Sequence, residues 1–377
     1  MIRRLLLRNF KCFAERSIPL SPLTLLSGVN GTGKSSVLQA LLLLRQSMEQ
    51  GMLVTGRLAL NGELVQVGTA SDALYENAEK QEIGFELDAE PGGSTSWLFR
   101  HDPETDVLQA DPPPPDVKSW LMASIFQPGF QYLSAERIGP RTTFATSDVV
   151  VRGLHQVGIQ GEFATHYLAL NEKRKVACEK LLHPSAVSHG LKDQVEAWLD
   201  NVSPGTRLRL TPYSGMDLVQ LQFQFVSGRD VTRAFRPTNV GFGLTYTLPI
   251  LVAVLGAQKG ALILLENPEA HLHPKGQAAM GEFLARAADA GIQLIVETHS
   301  DHVLNGVRLA VARKLLDPGS VALHFFARPE RDAVSKHEML SPRMDAHGRI
   351  DPWPDNFFDQ WDKSLEELIR IEEGGER

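Results

Sequence analysis

The residues best placed to do chemistry are Gly28-Val29-Asn30-Gly31-Thr32-Gly33-Lys34-Ser35. A glycine, four free positions and then Gly-Lys-Ser is the spacing of a phosphate cradle. The glycines let backbone N–H groups turn inward onto phosphate oxygens. Lys34 adds a mobile positive charge, and Ser35 offers a hydroxyl to Mg2+. The flanks match: Leu23 to Leu26 is a short apolar strand, and Ser36 to Leu44 reads as a helix starting at the phosphates. This pattern predicts a nucleoside triphosphate held by Asn30, Gly31, Thr32, Gly33, Lys34, Ser35 and Ser36.

Two further stretches carry ionisable groups. Ala261 to Leu265 is a continuous apolar run that ends in Glu266-Asn267-Pro268-Glu269-Ala270-His271-Leu272-His273-Pro274. Gln293 to Glu297 is a second, ending in Thr298-His299-Ser300-Asp301-His302. Runs of this kind suit strands buried on both faces of a parallel sheet, whose carboxyl ends line the ligand crevice. Glu266 is therefore expected to hold Mg2+ or one of its waters, and His299 to sense the γ-phosphate. His271 and His273 lack a third ligand and read as a structural or contact loop, not a zinc site.

The remaining chain must position these groups. Ile2 to Leu7 and Ile18 to Leu26 read as strands, Glu82 to Leu87 as a half-buried strand and Phe130 to Leu133 as a core strand. Gly161 to Asn201 turns helical, and Leu218 to Val226 alternates apolar residues with glutamines. Asp111 to Asp116 is a proline connector. Leu244 to Leu265 is apolar but is interrupted by Pro249 and split at 256–260, so it reads as a buried helix followed by a strand, with no membrane span.

At 377 residues with 43% hydrophobic and 22% charged composition, the chain has the profile of a soluble globular protein. A net charge of −7 argues against coating nucleic acid by bulk charge. Two cysteines, Cys12 and Cys178, make no disulfide framework, and the N-terminal apolar run is too short for a signal peptide. A cytoplasmic location is expected.

In this order the motifs resemble the ABC-type ATPase heads of chromosome-maintenance (SMC), RecF-type repair and OLD-type proteins. Leu7 to Phe13 looks like the opening of that group. The resemblance implies an α/β P-loop NTPase head with a mixed β-sheet lobe and a helical lobe, here 1–340 with a helical insertion at roughly 150–205. It places the signature motif at Asn239-Val240-Gly241-Phe242-Gly243, with Asn239, Gly241 and Gly243 on the nucleotide. Glu266 matches the Walker B acid, Ala270 to Pro274 the dimer loop and His299 the switch histidine. Lys11 corresponds to a basic residue that reaches the phosphates, and Gln66 to the Q-loop glutamine near the metal. Residues 341–377, with Gly348 to Gln360, are similar to a small C-terminal module carried by bacterial ATPases of this class, many of them beside antiviral defence genes.

The resemblance also implies a mechanism: two heads pack head to tail on ATP and Mg2+, and hydrolysis releases them. One departure bears on it. The glutamate that normally follows the Walker B acid is Asn267, which holds a water but takes no proton at neutral pH. Either Glu269 supplies the base, or hydrolysis is slow and ATP acts as a switch; the second is the expectation. About 75 residues follow His302 and lack the clustered acids of an OLD nuclease domain, so a nuclease or toxin effector is expected on a separate chain. The alternative is a RecF-type ATPase acting directly on DNA; Arg137 and Arg141 are candidate phosphate or DNA contacts, although a surface arginine is more often a solvated ion-pair partner.

Overall fold

The computed structural model describes residues 1–113, 116–327, 338–354 and 357–374. Pro114 and Pro115 of the proline connector lie outside them, as do Asp355 and Asn356 of the closing segment.

Strands β1 (Ile2–Phe10) and β2 (Phe13–Pro19) form an antiparallel hairpin, and β3 (Leu23–Gly28) follows. The apolar pattern predicts one strand from Ile18 to Leu26. Instead the chain leaves one sheet at Pro19 and enters another at Leu23. Pro22 supplies no N–H to a ladder. Thr24 Oγ1 closes a turn on Ser21, accepting from its N–H at 3.0 Å and donating to its carbonyl at 3.3 Å.

Helix α1 (Lys34–Glu49) leads to β4 (Arg57–Ala59), the single turn α2 (Ala70–Ala73), β5 (Glu82–Ala89), β6 (Gly93–Arg100) and β7 (Val107–Ala110). The first sheet has the order β2-β1-β5-β6-β7-β4. Its Phe10, Phe85, Trp97 and Phe99 share one buried core with Val37, Leu38 and Leu41 of α1. Burial of this core fixes α1, and with it the loop at the helix N-terminus.

Next come α3 (Val117–Trp120), β8 (Gln131–Leu133), β9 (Thr143–Ala145), α4 (Ala164–Asn171), α5 (Leu191–Asp200), β10 (Thr206–Tyr213), β11 (Leu218–Ser227), β12 (Asp230–Val231) and α6 (Phe242–Gly256). The stretch expected to be helical from Gly161 to Asn201 resolves into α4 and α5, with mostly irregular chain between them. They pack with a four-stranded sheet in which β11 joins β9, β10 and β12. Val219, Leu221 and Phe223 of β11 are buried while the intervening glutamines are less so, as the alternation predicts.

The chain then returns through β13 (Leu262–Glu266), α7 (Pro274–Asp289), β14 (Gln293–Glu297), α8 (Asp301–Ala312), β15 (Val321–Ala327) and β16 (Glu338–Leu340). The central sheet has the order β16-β15-β3-β14-β13-β8, parallel from β15 to β8 and antiparallel at β16. Parallel pairing brings the carboxyl ends of β3, β14 and β13 to one edge. Gly28, Glu297 and Glu266 are the residues that end them.

A hairpin of β17 (Arg343–Met344) and β18 (Ile350–Asp351), then α9 (Gln360–Gly374), complete the described chain. The closing segment docks through its aromatics: Phe357 meets Phe325 of β15 edge to face at 5.3 Å, and Arg308 Nε donates to Gly348 O at 2.8 Å.

Candidate functional site

The loop between β3 and α1 is built to receive an anion. Gly28, Gly31 and Gly33 have φ of 130°, 74° and 108°, a region where side chains are strained. A Cβ at Gly28 would lie 2.0 Å from Phe326 O on β15, so no larger residue fits. Thr32 Oγ1 ties the loop internally, donating to Val29 O at 2.7 Å, and lies 3.2 Å from Phe326 O. Gly33 caps α1 without a side chain, and no acid occupies the first turn, so the N-terminal N–H groups and the helix dipole are left for phosphate. Lys34 is 3% exposed, and its Nζ donates to Gly28 O and Val29 O at 2.9 and 2.8 Å. Its burial lowers its pKa, against the pull of Glu297.

Beside the loop lies an acidic edge. Glu266 and Glu297 are register partners on the neighbouring strands β13 and β14. Ser35 Oγ donates to the two oxygens of Glu297 at 3.1 and 3.3 Å. Glu266 turns the other way: Tyr132 OH donates to its Oε1 at 2.9 Å, and Ala135 N–H to its Oε2 at 3.0 Å. Burial first, then the Glu266 charge, raises the Tyr132 pKa. Burial likewise pushes the Glu297 carboxyl up, with Glu266 next, while Lys34 and Ser35 oppose it. Glu297 lies outside the set of site residues expected from the motifs. Its signal was available, because an acid ending a buried strand is rare without a partner.

Asn267 has φ 44°, in the left-handed region that asparagine tolerates better than most residues. Its N–H donates to Glu297 O at 2.8 Å, tying the ends of β13 and β14 together. Both oxygens of Glu269 are engaged. Oε2 accepts from Thr298 Oγ1 at 2.7 Å and Oε1 from His299 N–H at 2.8 Å. Glu269 therefore holds the turn that carries His299. The His299 ring opens toward solvent; partial burial first, then the Lys34 charge, lowers its pKa.

Arg137 corrects an expectation. It is not a surface contact for DNA but is 2% exposed. Its guanidinium donates to Ser134 O at 3.1 Å, to Glu266 O at 2.7 Å and to Asn267 O. It also lies 5.7 Å from the Tyr246 ring centre. Burial draws its pKa down to about 10, so it stays charged at neutral pH. Arg141 is exposed.

The Asn239–Gly243 segment is displayed outward. Asn239, Gly241 and Phe242 are exposed, and α6 starts at Phe242 with no side-chain cap and no acid in its first turn. Gly243 is required for packing, since a Cβ there would lie 2.7 Å from His271 O. His271 packs edge to face on Tyr246 and tilted on Phe242, with ring centres 4.4 and 5.4 Å apart. Among the described residues no hydrogen bond joins Asn239–Gly243 to Asn30–Ser36 of the same chain. Lys11 is half-buried in a left-handed turn at φ 51°, whose next residues abut the loop: a Cβ at Gly33 would lie 2.4 Å from the Phe13 ring. Burial lowers the Lys11 pKa. Gln66 is exposed, on a loop anchored where Gln46 Oε1 accepts from Val65 N–H at 3.1 Å. That anchor is about 18 Å of helical rise along α1 from Lys34. The structure thus does not bring Gln66 into the acidic cluster.

The donor set fits Mg2+ carried with a nucleotide. Ser35 and the two strand-end carboxylates are all oxygen ligands. Among the described residues no three His, Cys, Asp or Glu side chains converge as a closed metal cage. Phosphate oxygens and water would complete the shell, which is the habit of Mg2+ at triphosphate sites.

Comparison with known proteins agrees with this geometry. The family "AAA ATPase domain" matches residues 1–90, and "AAA domain, putative AbiEii toxin, Type IV TA system" matches 181–305. "Protein of unknown function (DUF3696)" matches 316–368, which takes in β15 and the closing segment. The OLD nuclease of Thermus scotoductus is 44% identical over 41 residues, 11% of this chain and 8% of that protein's length. An Smc head bound to the C-winged helix domain of ScpA superposes with TM-score 0.55 at 17% identity, over 90% of this chain and 97% of that one. The Smc head of Pyrococcus yayanosii gives 0.51 at 11% identity, over 92% and 98%. That of Pyrococcus furiosus, bound to the C-terminal domain of ScpA, gives 0.50 at 15%, over 98% and 99%. The fold is that of an SMC-type head, a P-loop NTPase. Two stretches of the chain thus match models of AAA-type ATPase domains, on a fold shared with Smc heads.

Proposed function

We propose that this chain is an ATP-gated switch: it binds ATP with Mg2+, pairs head to tail with a second copy, hydrolyses slowly and regulates a separate effector in bacterial antiviral defence. The observation that carries the reading is the pair Asn267 and Glu269. Asparagine stands where the base is expected, and both oxygens of the alternative acid already accept hydrogen bonds from the His299 turn.

Within one chain, Asn30 to Ser36 would wrap the phosphates, with Lys34 moving from the loop carbonyls to the β- and γ-oxygens and Lys11 adding charge from the flanking turn. Mg2+, held from Ser35 and the strand-end acids, neutralises phosphate charge when bound. The exposed, uncapped N-terminus of α6 supports a role in trans: Asn239, Gly241 and Gly243 would meet the γ-phosphate of a partner copy, where helix dipole and free N–H groups favour an anion. His299, beside Lys34, would read whether that phosphate is present. ATP then favours the paired state by its differential affinity for it. Solved Smc heads of this fold bind ScpA domains, which supports a protein partner here as well.

Mass in solution, measured with and without ATP and Mg2+, tests the reading. ATP is expected to double the mass of the wild type and leave Lys34→Ala monomeric. A mass indifferent to ATP would overturn it, and turnover strongly stimulated by duplex DNA would favour direct action on DNA.

A further inference from the structure

Four observations single out Glu297. First, it is the carboxylate that Ser35 touches; both its oxygens lie within 3.3 Å of the hydroxyl, whereas the hydrogen bonds of Glu266 go to Tyr132 and Ala135. Second, sheet order explains this difference. β14 lies between β3 and β13, so the strand end beside the phosphate loop belongs to Glu297, and Glu266 sits one strand, about 4.8 Å, further out. Third, both partners of Glu266 lie on or just after β8, on the far side of β13, and draw its carboxylate away from Ser35. Fourth, Glu297 is 7% exposed, and among the described residues no salt bridge reaches it. Lys34 Nζ is turned instead to Gly28 O and Val29 O. A carboxylate kept out of water needs a compensating charge.

We propose that Glu297 is a magnesium-holding carboxylate of this site, sharing the ion with Ser35, while Glu266 acts from the next strand through the ion's water shell. The proposal rests on the ATP reading above and assigns the inner acid to the strand after Walker B. Two acids plus a hydroxyl, completed by phosphate and water, is a usual ligand balance for Mg2+. The same placement accounts for Asn267: its N–H fixes Glu297 O, so a left-handed turn at the end of β13 helps set where the Glu297 carboxylate points.

The test is the Mg2+ dependence of nucleotide binding, read by a fluorescent ATP analogue titrated in EDTA and across a Mg2+ series. Mn2+ paramagnetic resonance on the same full-length samples reads the ion directly. Glu297→Gln is expected to raise the Mg2+ concentration for half-maximal binding by about 10- to 100-fold, the scale of losing a metal-site partner. Metal-free binding should change less than about twofold, and Glu266→Gln should shift the Mg2+ midpoint less than Glu297→Gln does. An unchanged Mg2+ midpoint and Mn2+ signal in Glu297→Gln overturns the proposal, as does a larger effect of Glu266→Gln. Should Glu297→Gln fail to fold, Glu297→Asp, which keeps the charge but shortens its reach, must show the same shift. Wild type that binds no nucleotide sinks the ATP reading itself, a result distinct from a Mg2+-dependent wild type matched by its variant.

Discussion

Glu269 and His299 are joined directly: the carboxylate Oε1 accepts the His299 backbone N–H at 2.8 Å while Oε2 accepts Thr298 Oγ1 at 2.7 Å. The loop after β13 thus sets the position of the imidazole after β14. An acid so used is a support for the histidine and a poor free base. Glu269→Gln keeps one acceptor and turns an NH2 toward an existing donor. We expect a stability loss of about 1–2 kcal/mol in denaturant titration. ATP turnover should fall less than about tenfold, because removing a true general base costs about 10²- to 10⁴-fold. A collapse of turnover without loss of stability would return the base role to Glu269.

Arg137 clamps the end of β13 from the opposite side, with three carbonyls on one guanidinium. A lysine ammonium has no planar fork to repeat this. Arg137→Lys is expected to leave carbonyl groups unpaired in a buried place, at about 1–3 kcal/mol for each one lost. The denaturation midpoint should fall and ATP binding should weaken with it. Stability equal to wild type would show that the clamp is dispensable.

His324 gives the fold an acid limit. It is 2% exposed on β15, with Nε2 donating to Pro19 O at 2.7 Å and Nδ1 2.8 Å from Ser341 Oγ. Burial is the largest cause lowering its pKa below the ordinary 6.5, and burial does the same at His166 and His183. Such groups stay neutral in the fold while the unfolded imidazole takes up a proton. Their contribution is therefore fully present above the ordinary histidine pKa and is lost as pH falls from there toward the folded value. Glu297 and Glu196, raised by burial, work in the opposite sense: their contribution is present below the ordinary carboxylate pKa and is lost as pH rises through the folded value. Thermal denaturation at pH 7.5 and 5.5 should show wild type losing stability, and His324→Gln losing less. Equal losses in both would remove His324 from the account.

Much of this site is legible in the chain, for physical reasons that differ by element. The phosphate loop needs glycine where φ is positive, a local demand that writes itself into Gly28, Gly31 and Gly33. β13 and β14 are buried on both faces, so their apolar runs announce them. Ile18 to Leu26 misleads because apolar residues continue across Leu20-Ser21-Pro22 while the chain changes sheets. Arg137 is misread because nothing local says that a guanidinium will be buried against carbonyls more than 120 residues away. Glu297 carries a signal as an acid ending a buried strand, but its place beside Ser35 follows from the insertion of β14 between β3 and β13, a property of the sheet order. The Gln66 assignment rests on motif order alone, and the loop bearing it is anchored far along α1.

The most direct test of the central claim is ATP binding and ATP turnover measured on one preparation of the wild-type chain, with Lys34→Ala beside it. An ordinary enzyme turns over about ten times per second, and loss of a positioned base costs about 10²- to 10⁴-fold, so the switch should hydrolyse at about 10⁻³–10⁻¹ per second. Saturable, Mg2+-dependent binding with turnover in that range, both absent in Lys34→Ala, is the predicted result. Turnover of several per second would contradict the switch by requiring an efficient base at this site, and no ATP binding at all would contradict the whole account.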